Sequence, residues 1–192
     1  IVMADADLSR VAADLVKNAF SFAGQRCTAL RRAVVDSSVI DEFQALLVAE
    51  AGALEPLEPH VEGALIGPMV SLDARERVFA QVREAVDRGA LLLAGGERVD
   101  LASGPALSPV VIRCDDASDP IVQNESFGPV IVVQPAGSLA HAIELANDVE
   151  QGLLQAACTR DPVALATIQS LAEVGIFQTC LLYTSDAADE ED

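Results

Sequence analysis

Aromatic side chains are scarce in this sequence: six Phe, one Tyr and no Trp, 4% of residues in all. That scarcity excludes the rows of stacking rings on which single-stranded nucleic acids are bound. Positive charge is equally thin. Twelve Lys and Arg face 30 Asp and Glu, for a net charge of −18, so phosphate backbones and anionic membrane surfaces repel the chain. The same charge serves solubility. The four cysteines, Cys27, Cys114, Cys158 and Cys180, are widely spaced without a C-x-x-C pair, and both histidines, His60 and His141, lie far from any of them. This argues against a structural zinc site or a disulfide framework, and no metal is expected. No apolar run spans a bilayer and no leader peptide is visible, so a reducing, cytoplasmic setting fits best. Neither G-x-G-x-x-G nor G-x-x-x-x-G-K occurs, so this stretch has no phosphate-cradling loop of its own.

What is present is core-forming material. Hydrophobic residues make up 51% of the chain, chiefly Ala, Val and Leu. Ile1-Val2-Met3 reads as the end of a strand. Asp7 is a good N-cap for a helix with Leu8, Val11, Ala12, Leu15, Ala19 and Phe22 on one face. A strand follows near residues 33–36. Ser38 and Asp41 make a capping-box pattern for a second helix carrying Ile40, Phe43, Leu47 and Leu54. Ser71 caps a third, with Leu72, Phe79, Val82 and Val86 as its apolar face and Gly89 at its end. Leu91-Leu92-Leu93 is a short strand, and a loop with Gly104-Pro105 leads to the strand Val110-Val111-Ile112. After an irregular segment from Ser118 to Pro129 come a buried strand at 130–133, a helix capped by Ser138, a strand at 154–158, a helix opened by Asp161-Pro162, and a strand beginning Ile176-Phe177. Short β-branched strands, apolar on both faces and alternating with helices, predict an α/β fold with a mostly parallel sheet covered by helices.

The chemistry centres on Phe20-Ser-Phe-Ala-Gly-Gln-Arg-Cys27-Thr-Ala-Leu-Arg-Arg32. Cys27 falls on the turn between the first helix and the first strand. A nucleophile needs that placement, aimed by two rigid elements and flanked by backbone N–H groups free to hold an oxyanion. The plain alternative is a cysteine buried as a small hydrophobe.

Three separated segments then point to one family. Gly24-Gln-Arg-Cys27-Thr-Ala29 resembles the catalytic-cysteine motif of the aldehyde dehydrogenase superfamily. Asn124-Glu-Ser-Phe-Gly-Pro-Val130 resembles its E-x-F-G-P-V motif. Asn147 followed by Gly152-Leu153 resembles its asparagine-to-glycine-leucine segment. Asp5-Ala-Asp-Leu8 also resembles the stretch before the cysteine helix, and the resemblance covers roughly residues 1–178.

The resemblance implies the following expectations. Cys27 is the catalytic nucleophile, forming a thiohemiacetal and then a thioester, with its own N–H contributing to the oxyanion hole. Arg26 beside it supplies positive charge that would favour the thiolate. Glu125 and Phe127 are the cofactor-binding residues for NAD or NADP, the first on the nicotinamide ribose hydroxyls and the second near the nicotinamide. Read without the resemblance, Glu125 is a solvated loop carboxylate and Phe127 a core anchor. Arg26 and Thr28, on either side of the nucleophile, are the candidate substrate-binding residues. Arg26 suits an acidic semialdehyde, and otherwise it anchors the turn. Asn124 departs from the acid usual in the family at that position.

The family's general-base glutamate, its oxyanion-hole asparagine and most of its cofactor domain would precede Ile1. Residues 1–178 are therefore expected to be a catalytic-domain fragment, inactive by itself, of an enzyme that assembles as a homo-oligomer and acts on a small-molecule aldehyde. Residues 179–192, which end in a block of acids, are expected to be a non-native or disordered acidic tail. Two alternatives stay open: a relative that works on acyl-phosphates or acyl-CoA, and a structural homologue without turnover.

Overall fold

The computed structural model describes residues 1–179. Asp7 opens α1 (Leu8–Phe20) as expected, its carboxylate accepting the Arg10 N–H at 3.2 Å. The buried face of α1 is Leu8, Val11, Ala12, Leu15, Val16, Ala19 and Phe20. Phe22 does not belong to it: the helix ends two residues earlier, and Phe22 is 70% exposed.

After β1 (Arg32–Asp36) comes α2 (Ile40–Gly52), where the expected capping box is not made. The Asp36 carboxylate takes both the N–H and the hydroxyl of Ser38, at 2.9 and 2.6 Å, so Val39 stands at the cap without a side-chain bond. Ser71 does cap α3 (Leu72–Asp87), accepting the Ala74 N–H at 3.1 Å. Its buried face is turned from the expected one. Ala74, Arg75, Val78, Val82 and Ala85 face inward, and Leu72 and Val86 are exposed.

The chain continues through β2 (Leu91–Ala94), β3 (Arg98–Leu101), β4 (Gly104–Leu107), β5 (Val110–Arg113), a short α4 (Pro120–Gln123), β6 (Val130–Ala136), α5 (Leu139–Asn147), β7 (Leu154–Ala157), α6 (Pro162–Leu171) and β8 (Ile176–Thr179). β3 and β4 form an antiparallel hairpin where the sequence reads as a loop. Apart from Thr179, which ends β8, the expected acidic tail lies outside the described residues.

The mixed α/β fold is built on a mainly parallel sheet. β1, β6 and β5 run parallel, with β2 antiparallel at the edge. β7 and β8 are a second parallel pair. Residues 1–3 join the two. Val2 bridges to Val35 on one side and Cys158 on the other, so the order becomes β8–β7–(1–3)–β1–β6–β5–β2.

Alternation along β1 divides the core. Ala33 and Val35 enter the large cluster with α1, α2 and α3, and Val34 joins Ala136, Ala142 and Leu145 under α5. Among the described residues no helix is long and apolar enough to cross a membrane.

Candidate active site

The backbone leaves α1 in an unusual way. Phe22, Ala23 and Gly24 are all left-handed, with φ of 56°, 54° and 67°. Two of them carry side chains, each of which costs about 1–2 kcal/mol in this conformation. The turn is held from outside. Phe22 N–H donates to Leu65 C=O at 3.2 Å, and Gln25 N–H closes the turn on Phe22 C=O at 3.2 Å. The Gln25 side chain donates to Pro68 C=O at 3.3 Å and accepts the Val70 N–H at 2.8 Å. Gln25 is therefore a staple between the turn and residues 68–70.

Gly24 allows the approach that makes the site. A Cβ built on it would lie 2.1 Å from the Gly128 carbonyl oxygen, so the two backbones touch where no side chain fits. Gly128 in turn backs onto Val78 of α3, where a Cβ would meet Cγ1 at 2.7 Å. The stack α3–Gly128–Gly24 presses the loop of Glu125 and Phe127 against the turn that carries Cys27.

Cys27 is exposed and sits at the second position of a turn that Ala29 N–H closes on Arg26 C=O at 3.1 Å. Its own N–H makes no hydrogen bond among the described residues, which leaves a donor beside the sulfur. Thr28 is the next residue of the same turn and is half-buried. Cys27, Arg31, Arg32, Glu125, Gln151 and Cys158 are among the residues that line a cleft of about 110 Å³.

Arg26 does not line that cleft. Its Nη2 donates to Asn18 C=O at 2.8 Å, satisfying a carbonyl in the last turn of α1, and its guanidinium lies 5.4 Å from the centre of the Phe22 ring. Its Nε is buried and has no hydrogen-bond partner among the described residues. The positive charge expected beside the thiol is thus directed at the helix end.

Glu125 and Phe127 are both exposed, the Phe127 ring at 42% and on a left-handed residue with φ of 48°. The expectation of Phe127 as a core anchor does not hold. Ser126 between them is buried. The Glu125 carboxylate accepts no hydrogen bond among the described residues, and its charge faces Arg31.

Arg31 and Arg32 are the residues that sequence reasoning missed. Arg31 Nη1 donates to the carbonyls of Val122 and Asn124, both at 2.9 Å, and Nη2 to Gln151 Oε1 at 3.2 Å. Arg32 donates to Leu145 and Ala146 C=O at the end of α5, at 3.0 and 2.9 Å, and to Gln134 Oε1 at 3.2 Å. Burial, with Arg31 next door, lowers the Arg32 pKa to about 10. A signal was present: two cations leading straight into a buried strand must find acceptors.

The third sequence segment is structural. Asn147 donates to Leu171 C=O at 2.8 Å and accepts the Glu173 N–H at 3.2 Å, tying the end of α5 to the end of α6. A Cβ at Gly152 would sit 2.5 Å from Glu173 C=O. Among the described residues no group of His, Cys, Asp and Glu is placed to hold a metal ion.

Comparison with known proteins places this geometry in a family. The family model described as "Aldehyde dehydrogenase family" matches residues 1–186. The chain is 35% identical over 161 residues to 1-pyrroline-5-carboxylate dehydrogenase 1 of Halalkalibacterium halodurans, covering 84% of this chain and 31% of that protein. It is 33% identical over 175 residues to the succinate semialdehyde dehydrogenase (NAD(P)+) Sad of Escherichia coli K12, covering 91% of this chain and 38% of that protein. Among solved structures it is similar to betaine aldehyde dehydrogenase of Staphylococcus aureus in complex with NAD+, with a TM-score of 0.88 and 29% identity over 93% of this chain and 36% of that one. The chain thus spans about a third of the length of the proteins it matches.

Proposed function

Because the chain belongs to the aldehyde dehydrogenase family, we propose that it supplies the nucleophile half of an enzyme that oxidises an aldehyde to a carboxylic acid with NAD(P)+. The observation that supports this reading is the backbone contact of Gly24 with Gly128, which brings the loop of Glu125 and Phe127 against the turn that carries Cys27.

The Cys27 sulfur, as thiolate, attacks the aldehyde carbon. A C–S bond forms, the carbonyl π electrons move to oxygen, and the unpartnered Cys27 N–H is the donor available to the new oxyanion. When bound, the nicotinamide supplies the acceptor for the hydride the tetrahedral adduct loses. The adduct becomes a Cys27 thioester, and water cleaves its C–S bond to release the acid and the thiol.

The residues present fit part of such a cofactor. An exposed ring held out on a strained residue offers a flat surface, and an exposed acceptor-only carboxylate two positions away suits a pair of hydroxyl donors. Glu125 and Phe127 would hold the ribose and nicotinamide, and they act by positioning. The sequence has no glycine-rich loop for the phosphates, and no residue of it is assigned as the general base. The 192-residue chain alone is accordingly proposed to be inactive.

Of the substrate, we propose an acidic semialdehyde. Semialdehyde dehydrogenases stand among the relatives, including one for succinate semialdehyde and one for 2-hydroxymuconic semialdehyde. Contact of Arg26 with the substrate acid would require its guanidinium to leave the Asn18 carbonyl. A cytoplasmic homo-oligomer without nucleic-acid partners completes the proposal, and of these points the net charge of −18 supports the last.

The test uses the full-length enzyme and follows NAD(P)H formation with acidic and neutral aldehydes. Cys27→Ala should abolish turnover, and retained turnover would reject the nucleophile. Arg26→Ala should impair acidic aldehydes selectively, and equal use of both classes would reject the acidic substrate.

A further inference from the structure

We infer that Arg31 is a positioning residue that fixes where the Glu125 carboxylate stands relative to Cys27. The inference rests on the functional reading above. Arg31 lies four residues after Cys27, on the link to β1, and its own backbone is fixed there because its carbonyl accepts the Val132 N–H at 2.9 Å. From that anchored point the side chain reaches two other segments of the site.

Its Nη1 carries two hydrogens and uses them on Val122 C=O and Asn124 C=O, both at 2.9 Å. Val122 belongs to the single turn of α4, and its carbonyl accepts no backbone N–H among the described residues. Asn124 directly precedes Glu125. One nitrogen therefore spans the end of α4 and the peptide unit that launches the glutamate. Nη2 reaches Gln151 Oε1 at 3.2 Å, adding the segment that leads to Gly152.

All of these contacts are long-range in sequence, and Gln151 and Glu125, the residue after Asn124, line the cleft of Cys27 together with Arg31. The charge also matters. Burial lowers the Arg31 pKa, and the charge of the facing Glu125 opposes that fall. Glu125 has no hydrogen bond of its own among the described residues, so its placement depends on the backbone that Arg31 holds.

The geometry of the guanidinium fork makes this role specific. Lysine offers a point charge that can serve the two carbonyls but does not extend to Gln151 as well. Alanine releases all three acceptors.

The test compares Arg31→Ala and Arg31→Lys with wild type in the full-length enzyme by two readouts. The first is amide hydrogen exchange across residues 121–127 without cofactor. It should quicken tenfold or more in Arg31→Ala, less in Arg31→Lys, and stay unchanged in α1. The second is a split in kinetic constants. KM for NAD(P)+ should rise about tenfold while KM for the aldehyde stays within twofold, with Arg31→Lys in between. If Arg31→Ala does not fold, Arg31→Lys carries both readouts.

Unchanged exchange at 121–127, or an equal rise in both KM values, would overturn the role of Arg31. A wild-type enzyme inert with all aldehydes and both cofactors would instead overturn the functional reading, and the exchange readout would still decide whether Arg31 holds the loop.

Discussion

Replacing Gly24 by alanine should separate the two halves of the site while leaving the rest of the fold in place. The size of the effect follows from two independent penalties. Gly24 has φ of +67°, where an L side chain costs about 1–2 kcal/mol. The new Cβ would also fall 2.1 Å from Gly128 O and 3.1 Å from Ala19 O. Both neighbours are backbone, so relief requires the 125–128 loop or the end of α1 to move by about an ångström, a strain of about 1–3 kcal/mol. Together these give about 2–5 kcal/mol, equivalent to a fall in Tm on the order of 10 °C for a unit of this size.

The matched control is Gly137→Ala. That glycine has no atom within 4 Å of a built Cβ and no left-handed φ, so the same chemical change should stay within about 1 kcal/mol. Denaturant unfolding of the full-length variants measures the difference. Amide exchange at residues 125–128 and the alkylation rate of Cys27 report whether the loss is local. A Gly24→Ala protein within 1 kcal/mol of Gly137→Ala, with unchanged exchange at 125–128, would refute the view that this contact assembles the site.

Two further predictions concern the supports of the site. The Asp119 carboxylate is held below its ordinary pKa chiefly by hydrogen bonds from Arg88, at 2.7 and 2.9 Å, and by the Ile121 N–H it caps. A depressed carboxyl pKa stabilises the fold above the unfolded value of about 3.9 and loses that contribution as pH falls through the folded value. Wild type should therefore exceed Asp119→Asn in stability at pH 6 and lose its lead as pH falls below about 4 in denaturant titrations, and a lead that does not change with pH would contradict the assignment. Arg32→Ala should cost about 2–4 kcal/mol, because it strands Leu145 C=O, Ala146 C=O and the buried Gln134. Loss in urea unfolding of less than 1 kcal/mol would show that water replaces the guanidinium.

Features coded by short-range chemistry were legible in the sequence. Asp7, Ser71, Ser138 and Asp161 each cap the helix they precede, because a cap needs only itself and the N–H two or three residues on. The runs at 33–36 and 130–133 became paired central strands. Competition defeated the same logic at Ser38, where the Asp36 side chain reached it first.

The β3–β4 hairpin was missed because Gly104-Pro105 reads as a chain breaker. Gly104 in fact begins β4 with φ of 145°, and Pro105 pairs with Asp100. In the candidate site, the positions of Cys27, Glu125 and Phe127 could be named from motifs, but the direction of Arg26 could not. Its neighbours Asn18 and Phe22 become its partners only because the turn at 22–24 is left-handed. Arg31 and its acceptors lie 91 to 120 residues apart, beyond any local pattern.

The strand made by residues 1–3 has a consequence for synthesis on the ribosome. Its first partner, Val35, follows soon after it, but its second, Cys158, lies more than 150 residues downstream. At about 5–20 residues per second, the edge of this strand waits roughly 10–30 s for its second neighbour. During that interval a nascent sheet of β1, β6, β5 and β2 can already pair, with one rim of peptide groups open to any other extended chain. Closing that rim pairs segments more than 150 residues apart, so this pairing, unlike the one with Val35, is a late event on which crowding and chaperones can act.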